Sequence, residues 1–364
     1  MPGPSLNMNP VADEIKTRKR LWPPPTAGQG TVTDAFLVLV RRKRLLLFGL
    51  LAAMGAMVIL AVTQGAYDIA LGRLLKIFSG SAVGPADIVI WKIRLPRIVS
   101  AIMVGWGLSL SGLSFQTLLK NPLGSPFTLG ISHGAAFGAS VAILLLGPRI
   151  VPVTLCAFAG AMCSTIVIMV LAGFKRLSPE SIILAGVALT SLFMSGTVLV
   201  QYLASDTQLA MVVFWTFGDV ARAGWTEIGI LSIVVAGGTL FLLLRRWDLN
   251  AMAVGEEAAR GLGVNVGRLR LVGMLVAVLM AALATAFHGV IAFVGLIAPH
   301  IARRLVGADH GMLIPFSAII GALLLLGADT LGRLLFGSGA LPVGIITSFM
   351  GAPMFLYLLI RSKG

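Results

Sequence analysis

Ala253-Val-Gly-Glu-Glu-Ala-Ala-Arg-Gly-Leu-Gly-Val-Asn-Val266 is a polar island between an apolar run that ends near Leu244 and another that starts near Leu271. Two carboxylates and an arginine mark a stretch that meets water, and the runs on either side mark membrane. Helix-forming residues fill Ala251 to Leu262. Glu256 and Glu257 suit the positive end of a helix dipole, and Gly261 and Gly263 stand where a short helix would end. The spacing predicts a helix of one to two turns lying across a membrane face. A plain solvated loop is the alternative, since charged runs usually face water and do nothing more.

Working outward, 57% of the residues are hydrophobic and 12% charged, and the mean hydropathy is +0.97. Soluble chains carry about a quarter charged residues, so this composition excludes an ordinary soluble protein. The chain reads as all-α and polytopic, because backbone polar groups in hydrocarbon must be satisfied within the spanning segment and a crossing helix needs about 20 apolar residues. A net charge of +14 would point to nucleic acid in a soluble protein. Here the basic residues cluster beside apolar runs, where they orient spans, and no nucleic-acid partner is expected. Cys156 and Cys163 share one apolar run and read as packing residues, with neither a disulfide framework nor a metal site indicated.

Apolar runs matched to the bilayer give about ten transmembrane helices: Leu45–Thr63, Ile98–Leu119, Phe127–Leu146, Ile150–Ala172, Ile182–Leu203, Ile228–Leu244, Leu271–Phe287, Val290–Ile301, Met312–Ala328 and Pro342–Ile360. The eighth is too short to cross alone. Residues 1–44 are basic and proline-rich and predict a disordered cytoplasmic tail, followed by a ten-span domain over 45–364. With the N-terminus inside, 20 of the 28 basic residues fall on the cytoplasmic side and 8 outside. The positive-inside rule therefore places both termini, and the 253–266 island, in the cytoplasm.

Arg94 and Arg97 run against that bias. They predict either an electropositive collar that captures an acidic partner or an anionic solute at the outer face, or the plainer roles of an anchor in lipid headgroups or a helix-terminal salt bridge. Ser205–Trp225, with Trp215 and Trp225, reads as an interfacial segment. Gly130, Gly134 and Gly138 repeat every four positions and read as a close-packing seam, with His133 packed inside it.

No G-x-x-x-x-G-K-[ST] loop is present, so no phosphate cradle of that type is expected here, and Leu108-Ser-Leu-Ser-Gly-Leu-Ser114 lies within a span. Carboxylates inside spans are scarce, with Asp329 at the end of the ninth run and Glu180 at the start of the fifth. Ion-coupled carriers place such groups along their path, so the energy source is expected outside this chain. No convergent catalytic set is found, which speaks against a membrane-embedded enzyme.

Arg94-Leu-Pro-Arg97, Ser111-Gly-Leu-Ser-Phe-Gln116, Asn121-Pro-Leu-Gly-Ser-Pro126, Gly130-Ile-Ser-His-Gly-Ala-Ala136 and Leu184-Ala-Gly-Val-Ala-Leu189 follow one another in the first half. Phe293-Val-Gly-Leu-Ile-Ala-Pro-His-Ile-Ala-Arg303, Gly321-Ala-Leu-Leu-Leu-Leu-Gly-Ala-Asp-Thr330, Leu341-Pro-Val-Gly344 and Gly351-Ala-Pro353 follow in the second. In order and spacing, from about Ile69 onward, the chain resembles the FecCD-type permeases of binding-protein-dependent ABC importers. The resemblance implies a type II ABC importer permease of the inner membrane, paired with a second copy or homologue. It also implies two ABC ATPase subunits that bind ATP and magnesium, and a soluble or lipid-anchored substrate-binding protein.

The same resemblance implies roles for residues. Gly255, Glu256, Arg260, Gly261, Leu262 and Gly263 match the family's coupling helix, which fits a groove on the ATPase. Arg94, Arg97 and Arg333 match arginines that meet acidic residues of the binding protein. Ser178, Pro179, Glu180 and Ser181 match a cytoplasmic gate, though Pro179 and Glu180 depart from the small hydroxyl residues common there. His133 and His288 also depart from the family pattern. Each lacks a second ligand at helical spacing, so no metal site, cofactor or catalytic residue is expected in this chain. The cargo implied is an intact iron–siderophore chelate, with haem and cobalamin as the family's other cargoes.

Overall fold

The computed structural model describes residues 32–64, 85–173, 178–336 and 341–361. Among the described residues the secondary structure is helical, with no strand. The chain divides into two compact units, Met1–Gly49 and Leu50–Gly364. In the first, the described residues form the opening of α1 (Val32–Thr63), so the helix starts ahead of Leu45; residues 1–31 of the expected tail lie outside the described residues.

The second unit contains the rest of α1, then α2 (Pro85–Ile88), α3 (Leu95–Leu118), α4 (Ile131–Leu146), α5 (Ile150–Gly173), α6 (Pro179–Leu203) and α7 (Asp206–Thr216). It continues with α8 (Trp225–Leu244), α9 (Arg246–Val254), α10 (Glu256–Gly261), α11 (Val266–His288), α12 (Val294–Val306), α13 (His310–Phe336) and α14 (Val343–Arg361). Among the described residues seven helical stretches are long and apolar enough to cross a membrane; α4 and Val343–Met354 of α14 are shorter apolar helices. With α12, whose 13 residues include Pro299, each of the ten expected spans has its helix.

Other starts differ from hydropathy as well. The third span opens at Ile131, since Ser125–Gly130 forms turns in which Thr128 Oγ1 bonds Ser125 and Leu123, and Gly130 takes a left-handed φ of 77°. Trp91–Arg97, which hydropathy leaves outside the second span, is helical. A π turn, Val89–Arg94, joins α2 to α3, and Leu95 N–H donates to Ile90 O five residues back. Pro96 follows at once. Its ring has no N–H to give to the preceding turn and needs room against it, and the widened turn supplies that room.

α3 is the buried helix around which the others pack: α13, α11, α12 and α8 all lie against it. Small residues set the separation. A Cβ on Gly105 would collide with the Gly321 carbonyl of α13, and one on Gly112 with the Gly295 carbonyl of α12. Serines then fasten backbone to backbone: Ser109 Oγ donates to Ser317 O at 2.7 Å and Ser111 Oγ to Ala277 O at 2.7 Å. Trp106 Nε1 donates to Thr239 Oγ1 at 3.0 Å, tying in α8. The glycine seam is a second close contact, where Gly134 meets Gly160 of α5 and Gly138 meets the Cys156 carbonyl. Without water to squeeze out, such packing and hydrogen bonds are what hold membrane helices together.

Gly105→Leu should therefore leave membrane insertion intact while lowering the melting temperature in detergent. The cost expected is at or above the ~1–3 kcal/mol of ordinary overpacking, because the obstruction is backbone. Gly237→Ala, at a helical position with nothing within 4 Å of the added carbon, should hold or slightly raise the melting temperature. Equal behaviour of the two variants would contradict the close approach.

Candidate functional site

The two ends of α3 carry the polar groups that the sequence singles out. At the N-terminal end, α13 runs on past Ala328 to Phe336, so Asp329 sits inside a helix with its side chain fully buried. Arg97 approaches Asp329 Oδ1 through Nε and Nη2, both at 2.8 Å. Arg333, one turn along α13, donates from Nε to Oδ2 at 3.2 Å. Asp219 stands at the rim, 4.0 Å from Arg97 Nη2. Arg333 Nη1 also donates to Ala61 O at 3.1 Å, and Arg94 Nη1 donates to Val62 O. Those carbonyls belong to the last turn of α1, where a helix presents its negative end and leaves carbonyls unbonded.

All three arginines thus have partners within the chain, and Arg94 is only 5% exposed. Arg222, in the short turn Val220–Arg222, donates to Phe214 O at 2.6 Å and Trp215 O at 3.3 Å. Burial lowers its pKa from the usual arginine value, and the charge of Asp219 opposes that shift. A cavity of about 480 Å³ opens beside it, lined mainly by apolar groups such as Ile143, Met211, Phe214 and Phe287.

At the other end of α3, the expected short helix over Ala251–Leu262 is two helices broken at Gly255. α10 begins with Glu256 and Glu257 in its first turn. It ends as the glycines imply: Val264 N–H donates to Ala259 O, Gly263 N–H to Arg260 O, and Gly263 has φ of 84°. This pair of bonds is a Schellman cap, for which a left-handed glycine is the favoured residue. Glu256 turns inward to pair with Arg270 of α11, and Arg260 lies 3.7 Å from its other oxygen. Arg270 Nε donates in turn to Leu118 O, the carbonyl end of α3, at 3.2 Å. Arg260 and Leu262 are exposed, as are Glu257 and Ala258, two residues outside the set that matches the family's coupling helix.

A second fastening missed in the sequence joins α9 to the same place. Asn250 Oδ1 accepts from the His310 backbone N–H at 2.8 Å and lies 2.7 Å from His310 Nδ1. That contact requires Nδ1 to carry the proton in neutral imidazole, leaving Nε2 to accept the Thr117 hydroxyl at 2.9 Å. Asn250 Nδ2 donates to Asp309 Oδ1 at 2.8 Å. Nothing local in the sequence announces this network, whose members are 60 and 193 positions apart.

Ser178-Pro-Glu-Ser181 forms the start of α6. Ser178 Oγ accepts from Ser181 N–H, the two hydroxyls are 2.9 Å apart, and Pro179 and Glu180 occupy the first turn. The residues that depart from the family pattern are thus ordinary first-turn residues. His133 packs on Phe127 with ring centroids 4.7 Å apart, and His288 is buried with Nδ1 3.2 Å from Ala284 O. Cys156 is half-buried, while Cys163 is exposed on this chain. Among the described residues no three His, Cys, Asp or Glu side chains gather as a metal site would require.

A family model described as the FecCD transport family matches residues 51–361. An ABC transporter permease protein of Methanocaldococcus jannaschii is 48% identical over 333 residues, 88% of this chain and 95% of its own length. The hemin transport system permease protein of Yersinia pestis is 36% identical over 75% of this chain and 84% of its own. The vitamin B12 import system permease protein of Vibrio cholerae is 38% identical over 75% of this chain and 83% of its own. A solved structure described as an inward-facing conformation of a metal-chelate type ABC transporter superposes with a TM-score of 0.77 and 30% identity, covering 88% of this chain and 99% of that one.

Asp329 is the group whose loss the arginine cluster should feel most. Asp329→Asn keeps the shape but leaves Arg97 and Arg333 without their carboxylate, and a drop of about 3–5 kcal/mol is expected for breaking a buried pair from one side. Arg333→Gln should cost less, since Arg97 still compensates Asp329. The melting temperatures of the two variants in detergent check the order, and the reverse order would show that the cluster is not held by Asp329.

Proposed function

The chain belongs to the FecCD transport family, and we propose that it moves an intact iron chelate of the siderophore type into the cytoplasm by alternating access. The family's members are permease subunits of metal-chelate type ABC importers, which work with ATPase and substrate-binding partners. For this chain the reading adds two ATPase subunits that bind ATP and magnesium, one binding protein, a second permease copy or homologue, and both termini on the cytoplasmic side of the inner membrane.

The observation that carries the reading is the attachment of α10. Glu256 fixes it to Arg270, Arg270 to the end of α3, and Asn250 with His310 fixes the preceding α9 to the same end. Force applied to α10 by a nucleotide-driven partner would reach α3, the most buried spanning helix among the described residues, through hydrogen bonds rather than through a slack loop. Gly255, Gly261 and Gly263 set the limits of α10, and exposed Glu257, Arg260 and Leu262 offer the surface for the ATPase groove.

At the opposite end of α3 the reading places the binding protein. Arg94, Arg97, Arg222 and Arg333 outnumber Asp329 and Asp219 and leave an excess of positive charge there, which favours an acidic partner. Arg97 and Arg333 would make the approach, and Arg94, bonded to α1, would support it. Ser178–Ser181 opens α6 on the cytoplasmic side, where a gate would close. Loaded binding protein docks, ATP closes the ATPases against α10, and the bundle changes which side is open. The relatives named for hemin and vitamin B12 make haem and cobalamin the rival cargoes.

Proteoliposomes with the permease, its ATPase and its binding protein test this directly, using labelled iron–siderophore, haem and cobalamin with and without ATP. ATP-dependent uptake of the siderophore complex alone is the expected result. Selective uptake of haem or cobalamin would reassign the cargo, and uptake without ATP would sink the importer mechanism. The coupling surface is tested separately: Glu257→Lys with Arg260→Glu should cut transport at least tenfold while the melting temperature holds. Glu256→Gln should lower the melting temperature as well, because it releases Arg270. Normal transport in the first variant would remove α10 as the contact.

A further inference from the structure

At the end of α8 apolar surface gives way to charge within two residues, with exposed Leu244 followed by Arg245, Arg246 and Trp247. A cleft of about 330 Å³ opens at that step, between the end of α8, the start of α9 and the start of α11. Its polar wall includes Arg245, Asp248 and Arg268, and its apolar wall Phe241, Leu269 and Val272. Asp248 engages one of the cations, with Oδ2 3.1 Å from Arg245 Nη1. Arg268 is exposed, and among the described residues no carboxylate pairs with it. The cleft is left with one uncompensated positive charge. Beside it Trp247 is 69% exposed, with the Arg246 guanidinium 5.3 Å from its ring centroid. A tryptophan with a stacked cation suits the headgroup layer of a bilayer.

We propose that this cleft binds the phosphate of an anionic phospholipid, held by Arg268 and Arg245, with Phe241, Leu269 and Val272 against the first carbons of an acyl chain. Charge complementarity selects the head, and the descent of the apolar wall along α8 and α11 into the span selects a molecule with a tail. Basic pockets between spans on the cytoplasmic side are the form that recognition of acidic headgroups takes. An ATPase segment fits less well, because the apolar wall lies at the depth of the spans, whereas the exposed charges of α10 belong to another element. Gly263, Val264 and Asn265 also line the cleft. They follow α10 directly, so a bound lipid would brace the joint between α10 and α11.

The test uses the full-length permease in nanodiscs of phosphatidylcholine, alone or with phosphatidylglycerol, and reads the lipid retained in native mass spectrometry together with the melting temperature. Wild type should retain phosphatidylglycerol in preference and melt higher with it. Arg268→Gln should reduce the preference about fivefold, the weight of one interfacial arginine, while Arg268→Lys should keep it. No preference in wild type, or an undiminished one in Arg268→Gln, overturns the proposal. So does equal stabilisation by inorganic phosphate in lipid-free detergent, which would make the cleft a soluble-anion site. Release of the retained lipid when the ATPase is added would overturn it in favour of a protein contact. None of these readouts depends on transport, so the lipid site and the cargo assignment fail separately.

Discussion

Backbone touches backbone where α3 crosses α13 and α12, at Gly105 with Gly321 and at Gly112 with Gly295. The rest of the bundle depends on that proximity. In hydrocarbon, lipid tails are as apolar as leucine, so helices gain little by burying apolar side chains against one another. Contact distance decides instead. Once glycine lets the axes approach, the hydroxyls of Ser109 and Ser111 reach the carbonyls of Ser317 and Ala277. A bulkier residue at either crossing would put those acceptors out of range together.

With its middle fixed in this way, α3 offers its two ends as attachment points, and at both the polar groups are bonded to neighbouring helices. Its start brings Arg94 and Arg97 to the carbonyl end of α1 and to Asp329. Its finish gives the Leu118 carbonyl to Arg270 and the Thr117 hydroxyl to His310. A helix of 24 residues spans roughly 36 Å at 1.5 Å per residue. The same rigid element thus joins the segment proposed to meet the ATPase to the segment proposed to meet the binding protein.

Much of this was legible in the sequence, and the failures have a common cause. Span positions follow from apolar length, a local property, and the ten runs each found a helix. The seam at Gly134 and Gly138 was readable from spacing; its partner α5 was not. Asp329 looked like the end of a run because hydropathy drops at a carboxylate, while its partner Arg97 lies 232 positions away. For Arg94 and Arg97 the sequence leaves an outside acidic partner and a helix-terminal salt bridge both open, and it does not show that Asp329 is the carboxylate on the inside. Glu256 and Glu257 are adjacent and chemically identical, and only the neighbouring helix distinguishes the one that pairs inward from the one left outside. The cap of α10, by contrast, was readable from Gly261 and Gly263, since a left-handed stop is written into residue type. Local chemistry was recoverable, and pairing across the bundle was not.

The widened turn at Val89–Arg94 sets how the chain would answer the loss of a residue. A π turn is an α-helix that has taken in one residue more than its hydrogen-bond ladder requires. Each helical residue advances the chain by about 100°, from 3.6 residues per turn. The residues before the turn are therefore out of phase by that angle with those after it. Loss of one codon inside the turn would restore an unbroken ladder and swing Pro85–Ile88 around the axis of α3, yet leave Arg97 opposite Asp329. Such a deletion leaves the bundle from Leu95 onward in register but displaces Ile90, which is fully buried in the core with Ala61 and Val62; for whatever meets α2 it is a quarter-turn and more.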